Sequence, residues 1–126
     1  MTSALVRFPP YPIRGVRVLH QRQNCAPQFA DITVDFEPAA EGFAFQVPKG
    51  LTVEYEPAED LPRFFAAIAA GIREQLSLPE HGVVTAARVV LRQIRAHTLG
   101  SHDLAFKIAG CLAARKALEH TRGPRA

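Results

Sequence analysis

Between Phe29 and Pro38 polar and apolar residues alternate with a period of two: Ile32, Val34 and Phe36 fall on one side, Asp31, Thr33, Asp35 and Glu37 on the other. Successive side chains of an extended chain point to opposite faces, so this pattern predicts a strand with one buried face. After a turn at "AAEG" the alternation resumes in "FAFQVP" with Phe43, Phe45 and Val47 in phase, predicting a second strand paired with the first as a hairpin. "RGVRVLHQ" predicts a further strand ahead of both, behind a proline-rich lead-in. The period changes to three and four in "AEDLPRFFAAIAAGIREQL", where Asp60 is placed to cap a helix, Pro62 lies in its first turn, and Phe65, Ile68, Ile72 and Leu76 share a face. From Val83 to Thr98 the β-branched content, at Val84, Val89, Val90 and Ile94, predicts another strand.

A turn at "TLGS" leads into "SHDLAFKIAGCLAARKALE", residues 101–119. Ser101 is a suitable N-cap, and Asp103 sits where the helix dipole favours a carboxylate. Leu104, Ile108, Cys111, Leu112, Arg115 and Leu118 then recur at helical spacing as the packed face, and the helix is expected to fray from Thr121. Gly110 in mid-helix costs about 1 kcal/mol relative to alanine, a cost that close approach of another backbone would offset. The order strand, strand, strand, helix, strand, helix predicts an α+β fold: a two-layer sandwich with a mixed or antiparallel sheet and both helices on one face.

A chain of 126 residues makes one domain, and 48% hydrophobic with 21% charged residues is the composition of a globular protein. No apolar run reaches the ~18 residues of a membrane span. The start, "MTSALVRFPPYP", lacks the basic head and apolar run of a signal peptide, so a cytoplasmic location is expected. Cys25 and Cys111 suggest neither a disulfide framework nor a metal site and are expected as free thiols. The net charge of +3 permits a nucleic-acid partner without requiring one. Its distribution changes the picture more: Arg14, Arg17, His20 and Arg22 cluster early, Arg88, Arg92, Arg95 and His97 late, and most acidic residues lie between them. The two basic groups meet only if the fold brings the two segments together.

The second helical stretch, with its Ala105-Phe106-Lys107-Ile108-Ala109-Gly110 run, resembles the last helix of domain IV of translation elongation factor G. "FADITVDFEPAAEGFAF", "EDLPRFFAAIAAGIREQL" and "GVVTAARVVLRQIRAHTLGSHDLAFKIAG" resemble that family's first hairpin, first helix, and strand, tip loop and second helix, so the likeness runs roughly from Gln21 to Glu119. It implies a fold like the second domain of ribosomal protein S5, with a left-handed strand-helix-strand crossover, an exception to the usual hand. In the full factor this domain is the arm that reaches the decoding centre beside transfer RNA through two tip loops. His97 falls on the family's tip histidine. "RQNCAPQFA" falls on the other loop, where Gln28 and Phe29 keep the middle of the family pattern, its glycines are missing and Pro27 stiffens the chain. Gly100 stands where the family carries an acidic residue before the second helix.

No glycine-rich phosphate loop followed by Lys and Ser or Thr occurs, so nucleotide hydrolysis is not expected of this chain. His81, His97, His102 and Asp103 do not form a catalytic pattern: His102 and Asp103 are neighbours in a first helical turn and point apart, and the helix dipole accounts for Asp103. Neither an enzyme, a cofactor nor a metal site is expected. The reading is a stand-alone, non-catalytic module that binds ribosomes or structured RNA through the segments Arg22–Phe29 and Arg92–Gly100, with Arg22, Asn24, Gln28, Arg92, Arg95 and His97 as its contacts and Lys107 a lesser candidate. The alternative is a protein-interaction or self-assembly module that kept the fold without ribosome binding, using an Ala-rich helix or a free sheet edge.

Overall fold

The computed structural model describes residues 5–23 and 26–122, and in them the chain forms six strands and two helices. These are β1 (Val6–Phe8), β2 (Ile13–Arg22), β3 (Gln28–Pro38), β4 (Gly42–Gln46), β5 (Thr52–Glu54), α1 (Leu61–Leu76), β6 (Val83–Arg95) and α2 (Asp103–Arg122). β6 is the spine of one mixed sheet. β3 runs antiparallel along it from Pro38 opposite Ala87 to Asp31 opposite Arg95, and β2 runs antiparallel to β3 out to Arg22 opposite Gln28. β1, β4 and β5 pair parallel to β6 in succession, along Val83–Thr85, Ala86–Val90 and Gln93–Arg95.

The expected hairpin between Phe29–Pro38 and Phe43–Val47 does not form. β6 lies between the two segments: β3 holds one of its edges and β4 the other, and the Ala39 N–H donates to Ala86 O where the chain crosses over. Alternation reports which face of a strand is buried and leaves its neighbour unspecified. β3 pairs instead with β2 as a hairpin. β1 and β5, three residues each, are additions to the expected order.

Ile32, Val34 and Phe36 of β3 join Val89, Leu91 and Ile94 of β6 in a core completed by Phe64, Ile68, Ile72 and Leu76 of α1 and Phe106 and Leu118 of α2. Both helices therefore cover one face, with the Phe64 and Phe106 rings stacked 4.5 Å apart. On α1 the inward aromatic is Phe64, while Phe65 is only half-buried. On α2 the expected face is displaced: Leu104 is 54% exposed and Leu112 36%, whereas Ala105, Ala109, Gly110, Ala113, Ala114 and Ala117 are buried. Small residues win this face because the helix backbones touch. A Cβ on Gly110 would strike the Ile68 carbonyl, and one on Gly71 the Lys107 carbonyl. Close approach at Gly110 is thus observed, against α1.

Neither predicted cap holds. Asp60 makes no side-chain cap and instead accepts from the Tyr55 hydroxyl at 2.7 Å. α2 is capped by His102, whose Nδ1 accepts from the Ala105 N–H at 3.3 Å. The helix also continues through Thr121 to Arg122, with the Thr121 hydroxyl donating to Leu118 O.

Candidate nucleic-acid interface

The end of the β2–β3 hairpin and the segment between β6 and α2 meet at one tip of the molecule. The Phe29 N–H donates to Gly100 O at 2.8 Å, and the Ser101 hydroxyl donates to Phe29 O at 2.8 Å while accepting from the His97 N–H at 2.9 Å. Ser101 therefore staples the two segments together, which is why it is unavailable as the cap of α2. Gly100 has φ +92°, and a Cβ there would stand 3.3 Å from the backbone of Gln28 and Phe29. The left-handed φ and the tight crossing favour glycine here, and the acidic residue of the resembling family would strain this backbone geometry.

The Phe29 and His97 rings lie 4.1 Å apart, and the Arg95 guanidinium covers Phe29 from 5.2 Å. Phe29 is buried by these neighbours while His97 stays exposed. His97 lines two hollows, one of about 410 Å³ against Arg22, Pro27 and Gln28, and one of about 800 Å³ against Glu54, Tyr55 and Pro57. Gln28 is engaged by His20, Nε2 to Oε1 at 2.6 Å. Arg22 is exposed and enters no ion pair among the described residues. Leu99 is 80% exposed beside His97. Asn24, an expected contact, and Cys25 lie outside the described residues.

Arg92 and Arg95 are not in a tip loop. β6 continues to Arg95, so the second tip segment begins at Ala96. Both arginines stand on the sheet face opposite the helices, where they meet the acidic residues of β3. Asp31 is held by Arg17 at 2.8 Å and Arg95 at 3.0 Å, Asp35 by Arg92 at 2.7 Å, and Glu37 by Arg14 at 2.8 Å. The two basic groups of the sequence do converge, over the carboxylates that separate them along the chain. Asp31 is only 1% exposed; burial pushes its carboxyl up, but hydrogen bonds and charge from Arg17 and Arg95 outweigh this and hold it below the ordinary value. The Arg14 hydrogen bond lowers Glu37 against a smaller burial effect.

The remaining candidates are dispersed. Lys107 pairs with Glu74 at 3.1 Å and ties α2 to α1, Asp103 pairs with Arg63, and His81 Nδ1 faces the Arg122 guanidinium. His102 caps a helix. Cys111 is a free thiol whose Sγ donates to Gly71 O, and burial, with Glu74 nearby, pushes it up. No group of three or more His, Cys, Asp or Glu is placed to hold a metal among the described residues, and no helix among them is long and apolar enough to cross a membrane.

Residues 11–122 match the family described as elongation factor G, domain IV. The chain belongs to that family. Elongation factor G-like proteins from two Mycobacterium tuberculosis strains, CDC 1551 / Oshkosh and ATCC 25618 / H37Rv, are each 30% identical over 97 residues, covering 75% of this chain and 13% of their own length. A Thermus thermophilus protein of known crystal structure superposes with a TM-score of 0.59 at 26% identity, over 86% of this chain and 16% of its own. The chain thus spans a small part of the relatives it matches. Domain IV is a non-catalytic part of elongation factor G, and the mixed α+β sheet with two helices is its fold.

Proposed function

We propose that this domain IV is a non-catalytic RNA-binding module that engages the ribosome with the tip where Phe29 and His97 meet. The observation that carries this is the staple at Ser101 and Gly100, which ties Phe29 to the segment 97–101 at one end of the molecule, where His97, Leu99 and Arg22 are exposed. An exposed imidazole and guanidinium side by side suit stacking on an unpaired base and contact with phosphate, recognition by shape and charge more than by sequence.

Co-sedimentation with ribosomal subunits over a range of salt tests it. The protein is expected to pellet with subunits at low salt and leave them at high salt, with Arg22→Ala lowering the log–log salt slope by about one unit. His97→Ala should weaken binding by about 1 to 3 kcal/mol with little change of slope, since base stacking makes no phosphate contact. Failure of the wild type to pellet would turn attention to a protein partner, for which the outer edge of β2 is one open sheet edge, with Arg17 O already accepting from Lys116.

A further inference from the structure

Among the described residues, the sheet face opposite the helices carries neither a helix nor an apolar layer. It carries arginine. Arg14 and Arg17 rise from β2 and its lead-in bulge, and Arg88, Arg92 and Arg95 from β6, in two rows flanking the carboxylates of β3. Asp31, Asp35 and Glu37 are buried beneath, while Arg14, Arg17 and Arg92 keep 65%, 58% and 51% of their side chains exposed. Five guanidiniums stand over three carboxylates; towards the edge formed by β1 and β5, Arg7 adds another cation and Glu54 another anion. An excess of positive charge therefore faces outward.

The carboxylates also fix where that charge points. Arg92 gives only its Nε to Asp35, Arg14 and Arg17 give Nε and one terminal nitrogen, and Arg88 gives one terminal nitrogen to Gln46. A guanidinium has five N–H donors in a fixed fork, so each arginine keeps free donors on its solvent side. Side chains already held in place lose little freedom on meeting an anion, which is the usual cost of recruiting long basic residues. Arg88 and Arg95 are seven residues apart on one strand, so at about 3.3 Å per residue the row is about 23 Å long. A repeating polyanion matches a row of that length better than an isolated acidic side chain does. The row ends at the tip, because Arg95 both grips Asp31 and covers Phe29.

We propose that this arginine-covered face is a second RNA-binding surface, which takes the phosphodiester backbone of a single-stranded segment running from the tip along β6. It rests on the RNA-binding reading of the tip and extends it to a separate set of residues. The test is fluorescence anisotropy of a labelled oligouridylate titrated with the full chain at several salt concentrations. The face variant combines Arg88→Gln with the neutralised pair Arg92→Gln and Asp35→Asn, so that no carboxylate is left buried without a partner, and its thermal melt verifies folding. Two lost phosphate contacts on a single strand should lower the log–log salt slope by about 1.4 and weaken binding several-fold at low salt. Arg88→Gln alone, which gives up the hydrogen bond to Gln46 and leaves Glu37 its Arg14 partner, should lower it by about 0.7. Arg73→Gln, exposed on α1, should match the wild type.

If the face variants bind like the wild type while Arg22→Ala and His97→Ala lose affinity, the face proposal is overturned and the tip reading stands. No binding of oligouridylate by the wild type overturns the face proposal, whereas the tip reading falls only if the wild type also fails to pellet with ribosomal subunits. Displacement by polyglutamate at charge concentrations equal to those of the RNA would overturn the assignment to RNA and point to an acidic protein segment.

Discussion

Gly100 and Ser101 are small residues on which the geometry of the tip depends. With φ at +92° and the Gln28 and Phe29 backbone 3.3 Å from any added Cβ, Gly100 is strained by every side chain. Gly100→Ala is expected to cost about 1 to 2 kcal/mol and to loosen the Phe29 N–H bond to residue 100, read as a lower melting temperature and faster exchange of the Phe29 amide. Ser101 was legible in the sequence as a residue with a local task, but the task is different. Serine leads the ranking of N-caps and histidine does not, so a one-dimensional reading assigns the cap to Ser101 and passes over His102. The acidic residues of β3 were legible as a polar face, yet polarity in sequence does not distinguish a carboxylate in water from one sealed under arginines 14 to 64 positions away.

Among the elements, the two helices show where periodicity succeeds and where it misleads. α1 follows the expected spacing at Ile68, Ile72 and Leu76. On α2 the larger residues Leu104 and Leu112 attract the eye, and the alanines opposite them are what the fold buries. The clue that could have found this face was already present in Gly110, since a residue chosen for close approach marks the seam of the contact. Gly110→Ala is expected to push α2 off the Ile68 carbonyl and destabilise the protein by about 1 to 3 kcal/mol, despite alanine's better helix propensity. A melting temperature equal to or above the wild type's in a thermal denaturation would show that the backbones are not in contact there. Strand pairing was the harder matter. The alternation in β3 and β4 identified both strands correctly, while their separation by β6 depends on a segment that follows α1, far along the chain.

For the molecule as a whole, the carboxylates beneath the arginines predict how stability responds to acid. Asp31 and Glu37 are held below their ordinary values of 3.8 and 4.5, so in the acid range the unfolded chain binds more protons than the folded one. Their contribution is complete above the unfolded values and is lost as pH falls through the folded ones. The melting temperature should be level with respect to these groups above about pH 5 and drop below about pH 4. Asp31→Asn should flatten that drop and lower stability at neutral pH by about 1 to 3 kcal/mol, because Arg17 and Arg95 then lose a charged acceptor. The mixed sheet with its helices on one face was legible from the sequence, since alternation and helical spacing report burial directly. The edge made of β1, β4 and β5 was legible only in part: β1 and β5, with three residues each, carry too little pattern to register, and β4 was readable as a strand but not as a neighbour of β6. That edge also sets the order in which the protein can assemble. Every strand except β2 takes its place by pairing with β6, and β6 follows all of them in the chain. Until Val83–Arg95 has been synthesised, the β2–β3 hairpin is the one piece of sheet with a partner at hand, and Phe43 and Phe45 have no strand to lie against. Folding must therefore wait for a late strand to slot between β3 and three separate edge segments, a closure of long loops that makes the transition slow for a chain of this size.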